Sequence, residues 1–183
     1  MSSHRKIEII KGTSRFILIV SSFSRVVFKI PRIRLWYGLG MIIAERKKWN
    51  QKETWDERVW WSIGWCLYKG ILDNWREYRF YRKSKHLFLQ PTIFSLFGLI
   101  NIQKRGDVVQ CDKVKFWCCV SKATNGEACD DGHHFSEIHN FCLNGGIKVL
   151  DYGSPKTQAL VKKYGSKIME ALASNFPELN RGV

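Results

Sequence analysis

The chain lacks any apolar run that meets the length of a membrane span. Its two most apolar stretches, Phe16-Ile17-Leu18-Ile19-Val20 and Ile93 to Ile100, fall short of the roughly 20 residues a spanning helix needs or lie too close to charged flanks. They are expected as buried strands. No signal cleavage site follows the start Met1-Ser2-Ser3-His4-Arg5-Lys6, which passes at once into Ile7-Glu8-Ile9-Ile10, so a cytoplasmic location is the expectation. Internal repeats and low-complexity linkers are missing too, and 183 residues of 45% hydrophobic content suffice for one sizeable core. A single compact domain over residues 1–183 is expected.

Acidic residues are scarce, 16 against 30 Lys and Arg, which leaves a net charge of +14. The excess is uneven: residues 1–106 hold 21 Lys/Arg against 7 Asp/Glu, and residues 107–183 hold 9 of each. A basic half of this kind raises encounter rates with nucleic acid, anionic lipid or an acidic protein, and also serves solubility. Nucleic-acid binding rests on charge and aromatics alone, because no helix-turn-helix, zinc-finger or RNA-recognition signature accompanies them. Cys66, Cys111, Cys118, Cys119, Cys129 and Cys142 include no C-x-x-C pair. Together with His133, His134 and His139 they are zinc-compatible types without the usual knuckle spacing, so buried thiols are the expectation and zinc stays open.

What is present reads as an α+β chain. Residues 6–12, 14–20 and 25–30 alternate or run apolar in strand fashion, with a turn at Ser21–Ser24 and a stop at Pro31, which gives an antiparallel meander. From Trp36 to about Lys85 the spacing is helical, expected as two helices with a break near Asn50-Gln51 and a bend at Gly64 or Gly70. Pro91 ends that stretch. A strand pair follows from Ile93 to Gln103, residues 108–122 fit strand or helix, and Thr157–Ala173 spaces its apolar residues as an amphipathic final helix. Between them Phe141-Cys142-Leu143 and Ile147-Lys148-Val149-Leu150 flank Gly145-Gly146 as a hairpin. Asn140 and Asp151 stand at its two ends. An amide and a carboxylate facing one cleft suit Mg²⁺, which takes few protein oxygens and keeps phosphates and waters as its other ligands.

Three further segments stand in a meaningful order around that hairpin. Val26-Val27-Phe28-Lys29 closes the third strand, Asn74-Trp75-Arg76-Glu77 lies on the second helix, and Asp151-Tyr152-Gly153 follows the hairpin. Over residues 7–153 this order resembles the protein-kinase-like family, in particular its small bacterial and phage members. The resemblance implies an antiparallel N-lobe sheet with helices over 1–106 and a minimal, truncated C-lobe over 107–183. It also implies that Lys29, held by Glu77, reaches the phosphates of ATP. Glu45 and Glu57 are rivals for the glutamate role. Asn101 and Gln103 would belong to a hinge at Asn101–Lys104 that meets the adenine, and Asn140 and Asp151 would hold Mg²⁺.

Departures from the family pattern are as informative. Gly12-Thr13-Ser14 stands where a Gly-x-Gly-x-x-Gly loop is usual, so a weaker phosphate grip is expected. Counted back from Asn140, the catalytic histidine position is His133, but the catalytic aspartate position is Phe135. A base would then come from Asp130, Asp131, His134 or Glu137, and Asp131, His133 and Glu137 are the chosen catalytic candidates. Only 30 residues follow Gly153 in this chain of 183, too few for the usual substrate-binding helices. The expected function is an ATP- and Mg²⁺-dependent phosphotransferase. A pseudokinase that binds a protein partner through the basic, Trp-rich segment 32–85 is the alternative, and nucleic-acid binding through residues 1–106 a third.

Overall fold

The computed structural model describes residues 7–12, 14–33, 39–40, 43–44 and 57–180, without the side chains of 57–63, 65–67, 132–133 and 180. Glu45, the expected break at Asn50-Gln51, and Trp36, Trp49 and Trp55 lie outside the described residues. Three strands open the chain: β1 (Ile7–Lys11), β2 (Arg15–Val20) and β3 (Val26–Pro31), paired antiparallel in sequence order. A long helix, α1 (Glu57–Ser84), runs without interruption through Gly64 and Gly70. Next come β4 (Thr92–Leu96) and β5 (Ile100–Lys104), and β5 pairs antiparallel with β3. The resulting sheet has the order β1-β2-β3-β5-β4.

A second, three-stranded antiparallel sheet follows, made of β6 (Asp107–Val108), β7 (Phe141–Leu143) and β8 (Ile147–Val149). The β7–β8 turn depends on Gly145 and Gly146, both at positive φ, where a side chain would be strained. Residues 113–123, which periodicity left open, form the helix α2 (Lys113–Ala123). Its start is fixed by Asp112, whose Oδ1 accepts from the Lys115 backbone N–H at 2.7 Å. Phe116, Cys119, Val120 and Ala123 then fall on one buried face at helical spacing. The final helix, α3 (Pro155–Asn175), buries Leu160, Val161, Tyr164, Ile168 and Leu172 against α2 and the second sheet.

The apolar core lies in this second half. Phe88, Phe116, Phe135, Phe141 and Phe176 fill it together with the inner faces of α2 and α3, and Phe116 meets Phe141 edge-on at 4.9 Å. The first sheet is built differently. Its two apolar runs are strands, but they are not the buried strands expected: β2 is half-buried beyond Arg15, and Ile93, Phe94 and Leu96 of β4 are exposed. The register explains Phe94 and its neighbours, since Phe28 pairs with both Leu18 and Ile102, and Phe94 with Ile102, on the face turned away from α1, while Ile93 sits at the irregularity between Thr92 and Phe94 and lines the cleft. On the face toward α1 the buried side chains are mainly polar: Arg15, Lys29, Asn101 and Gln103.

The facing side of α1 is polar as well. Asp73, Asn74 and Glu77 are buried there, while Arg76, Arg79, Arg82 and Lys83 are exposed on the outer side. Helix and sheet are therefore joined mainly by hydrogen bonds. Asn74 Nδ2 donates to the carbonyls of Lys29 (3.2 Å) and Gly98 (3.0 Å), and the Asn74 carbonyl accepts from Asn101 Nδ2 at 2.7 Å. Close approach requires Gly70. A Cβ there would lie 3.0 Å from the Pro31 Cα and nearer still to the Ser14 carbonyl oxygen. Replacing Gly70 by Ala should push α1 off the sheet at a cost of about 1–3 kcal/mol, read as a lower urea midpoint.

Candidate functional site

Antiparallel pairing places Ile17 opposite Lys29 and Arg15 opposite Pro31, so the side chains of Arg15, Ile17, Val27 and Lys29 share the face toward α1. Below them lies a cleft of about 1470 Å³ whose walls include Lys29, His134, Asn140 and Asp151. Lys29 Nζ donates to both Glu77 carboxylate oxygens at 3.0 Å and to the Leu150 carbonyl at 2.7 Å. Glu77 is fully buried and also accepts from Thr92 Oγ1 (3.1 Å), Gln103 Nε2 (3.4 Å) and Arg15 Nη1 (2.8 Å). Arg15 Nη1 reaches Asn74 Oδ1 at 3.2 Å, and Arg15 Nη2 donates to Asp151. Two cations and two carboxylates thus balance one another within a few ångströms.

The Asp151-Tyr152-Gly153 triplet is held from beneath. Tyr152 is fully buried, its ring beside Phe80 of α1 and its hydroxyl donating to the Gln90 carbonyl at 2.6 Å. Gly153 packs against the α1 backbone, where a Cβ would come within 2.7 Å of the Asp73 carbonyl oxygen. Those two anchors present Asp151 to Arg15 at the edge of the cleft, with 35% of its side chain exposed. The β1–β2 turn is tied to the same helix, because Asp73 accepts from Ser14 Oγ at 3.3 Å and from Lys69 Nζ at 2.6 Å.

Asn140 is brought to the opposite strand end. Its carbonyl accepts from the Leu150 N–H at 2.8 Å and its Nδ2 donates to the His134 carbonyl at 3.0 Å, so positions 134, 140 and 150 are held side by side. The three catalytic candidates are not equivalent. Asp131 is fully buried behind the cleft wall, where it accepts from Thr157 Oγ1 and lies 2.8 Å from His134 Nδ1. Its contact His134 does line the cleft. The Glu137 carboxylate sits at the surface on Lys113 Nζ, at 2.9 and 3.0 Å, and does not line the cleft. The side chain of His133 lies outside the described residues. Phe135, at the expected aspartate position, is buried in the second core, 6.2 Å from Phe141.

The expected hinge is also shifted. Asn101 points under α1 to the Asn74 carbonyl and does not line the cleft. Gln103 lines it from within, bonded to Glu77 and, at 3.1 Å, to the Leu150 carbonyl. The cleft wall continues through Lys104, Gly106 and Val108 to Cys142 and Leu143. Gly106 is pressed onto that wall, since a Cβ would lie 2.8 Å from the Leu143 carbonyl oxygen and nearer still to Cys142 Sγ. Of the cysteines, Cys119 and Cys142 are buried, whereas Cys118 and Cys129 are exposed. No group of three or more His, Cys, Asp or Glu side chains among the described residues could hold a metal ion. Asn140 and Asp151 together still offer oxygens of the type Mg²⁺ takes, so a cation there would draw its remaining ligands from phosphate and water.

Burial and charge pull the titrating groups in opposite directions. Burial works to raise the Asp151 pKa, but Arg15 and Lys29 outweigh it and hold the carboxylate well below its ordinary range. Burial works to lower that of Arg15, and Asp151 and Glu77 reverse it, keeping the guanidinium charged. Lys29 is shifted down, because burial and the neighbouring Arg15 exceed the help from Glu77. Burial pushes the Cys142 thiol up to about 12. Burial disfavours a charged His134, yet the Asp131 bond and the charges of Asp151 and Asp131 raise it above 6.5.

Arg15, Asn74 and His134 complete the site beyond the residues chosen from sequence. The only sequence signal for Arg15 is its place just after Gly12-Thr13-Ser14. No known family, curated protein or solved structure matches this chain. No helix of the described residues is long and apolar enough to cross a membrane. Glu77→Gln strips the buried Lys29 and Arg15 of a shared counter-charge and should cost about 3–5 kcal/mol in urea unfolding. His134 should titrate above 6.5 by NMR and fall back in Asp131→Asn. Since its folded pKa is raised, the pair's stabilisation is complete below the unfolded value of about 6.5 and is lost as pH rises through the folded one.

Proposed function

We propose that the cleft binds a nucleoside triphosphate with Mg²⁺ and transfers its terminal phosphoryl group, as a reduced kinase-like phosphotransferase. The observation that carries this reading is the buried Lys29–Glu77 pair, with contacts of 3.0 Å, set beside Asp151 and Asn140 in one cleft. Arg15 and Lys29 supply positive charge beside the position the phosphates would take. Asn140 and Asp151 would hold the metal, whose charge offsets that carried by the phosphate oxygens. His134, oriented by Asp131, would take the proton of the acceptor hydroxyl as its oxygen bonds to phosphorus and the nucleoside diphosphate leaves. The apolar side chains of Ile17, Val27, Cys142 and Leu143 along the cleft suit a flat base.

A second reading is favoured by one specific observation. Phe135 is buried where a catalytic carboxylate was expected, and Asp131 stands behind His134, so no carboxylate among the described residues replaces it directly at that point. The protein would then bind nucleotide without turnover, a pseudokinase whose partner meets the exposed Arg76, Arg79, Arg82 and Lys83 of α1. Labelled ATP separates the two. Wild-type protein should be stabilised by Mg-ATP, by about 2.7 kcal/mol at 100 times the Kd, and should release or transfer labelled phosphate. Asp151→Asn should lose the metal-dependent part of both signals. His134→Ala should keep binding and slow transfer by roughly 10²–10⁴-fold. Binding without any transfer would select the pseudokinase, and no stabilisation by ATP would remove both.

A further inference from the structure

We infer that Arg15, rather than Lys29, is the side chain that grips the nucleotide's polyphosphate in this cleft; the inference rests on the nucleotide-binding reading above. The donor count points to it. A lysine ammonium carries three hydrogens, and Lys29 Nζ has three acceptors already: the two Glu77 oxygens at 3.0 Å and the Leu150 carbonyl at 2.7 Å. It can meet a phosphate only by releasing one of them. Its ammonium thus fixes β3 to α1 and to the start of the Asp151 triplet.

Arg15 is in a different position. A guanidinium carries five N–H donors in a planar fork. Nη1 is spent on Asn74 Oδ1 and Glu77 Oε2, both on fully buried side chains of α1, at 3.2 and 2.8 Å. Nη2 donates to Asp151, which leaves the second Nη2 hydrogen and the Nε–H outside these bonds. One half of the fork is therefore anchored in the protein. Arg15 lines the cleft with 7% of its side chain exposed, and the Asp151 carboxylate that Nη2 meets is 35% exposed. A polyphosphate entering the cleft meets donors arranged to take two phosphate oxygens at once, which an ammonium cannot offer. Phosphate can then be held by these remaining donors while Nη2 keeps Asp151, which stands beside it for a cation.

The position of Arg15 also fits the short first turn. Gly12 N–H donates to the Arg15 carbonyl at 2.8 Å, which closes the β1–β2 turn tightly. A guanidinium at the foot of that turn supplies charged donors where a longer glycine loop would supply backbone N–H groups.

Calorimetric titration of wild type, Arg15→Gln, Arg15→Lys and Lys29→Met with ATP, inorganic tripolyphosphate and adenosine, each with and without Mg²⁺, tests the assignment. Arg15→Gln should weaken ATP and tripolyphosphate tenfold or more and leave adenosine unchanged. Arg15→Lys, with charge but no fork, should fall between, and Lys29→Met should weaken tripolyphosphate less than Arg15→Gln does. Should Arg15→Gln fail to fold, ¹⁵N NMR of the wild type reads the same contact: the Arg15 Nε–H resonance, identified by its loss in Arg15→Lys, should move with tripolyphosphate and not with adenosine. ATP bound equally by wild type and Arg15→Gln, or an unmoved Nε–H at saturation, would overturn the role of Arg15 alone. Wild type that binds neither ATP nor tripolyphosphate would overturn the nucleotide reading with it.

Discussion

The carboxylate of Glu77 is the constraint on which this half of the molecule depends. It is fully buried, and it is shared by a lysine from β3 and an arginine from β2 while threonine and glutamine side chains of β4 and β5 reach the same oxygen. An ionised carboxylate without such partners would be costly to bury, so the strands and α1 can meet in only a narrow range of positions. Chain segments far apart in sequence are thereby fixed to one point. The cleft inherits its shape from that point.

The two halves of the described structure divide their work. Around the second sheet, Phe116, Phe141, Ile168 and Leu172 form a dry apolar core that supplies burial energy. Between the first sheet and α1, burial is spent largely on polar contacts that give modest net stability but strict geometry. The Asp151-Tyr152-Gly153 triplet connects the two. Tyr152 belongs to the apolar cluster, and one residue earlier Asp151 belongs to the charged one. A site placed on such a seam takes its rigidity from the core and its chemistry from the polar layer.

Much of the scaffold is legible in the sequence because strand and helix periods are local signals. Alternation marks the meander, Gly145-Gly146 marks the hairpin, and the spacing of Leu160, Val161, Tyr164 and Ile168 marks α3. The helix at 113–123 was ambiguous, since eleven residues carry little periodicity and its start is set by the Asp112 cap. Gly70 resembles a bend in sequence and is instead a close contact, which only the packing of α1 on Ser14 and Pro31 reveals. At the site, Lys29, Glu77, Asn140 and Asp151 could be singled out from their order along the chain. Arg15 could not, because its partners lie 59, 62 and 136 positions away. Nor does the sequence show that Asn101 lies outside the cleft, since its pairing with Lys29 turns it toward α1. The surface pairing of Glu137 with Lys113 likewise leaves no mark in sequence.

Gly106 and Cys142 close one side of the cleft, and their contact governs how the molecule meets oxidants and thiol reagents. A thiol shifted up to about 12 stays protonated at neutral pH, and the thiolate is the nucleophile. Cys142 is thereby a chemically quiet piece of wall. Among the described side chains, Cys118 on α2 and Cys129 after it are the exposed sulfurs. Maleimide dyes or mild peroxide would thus mark Cys118 and Cys129, neither of which lines the cleft, and leave Cys142 in its wall unreacted.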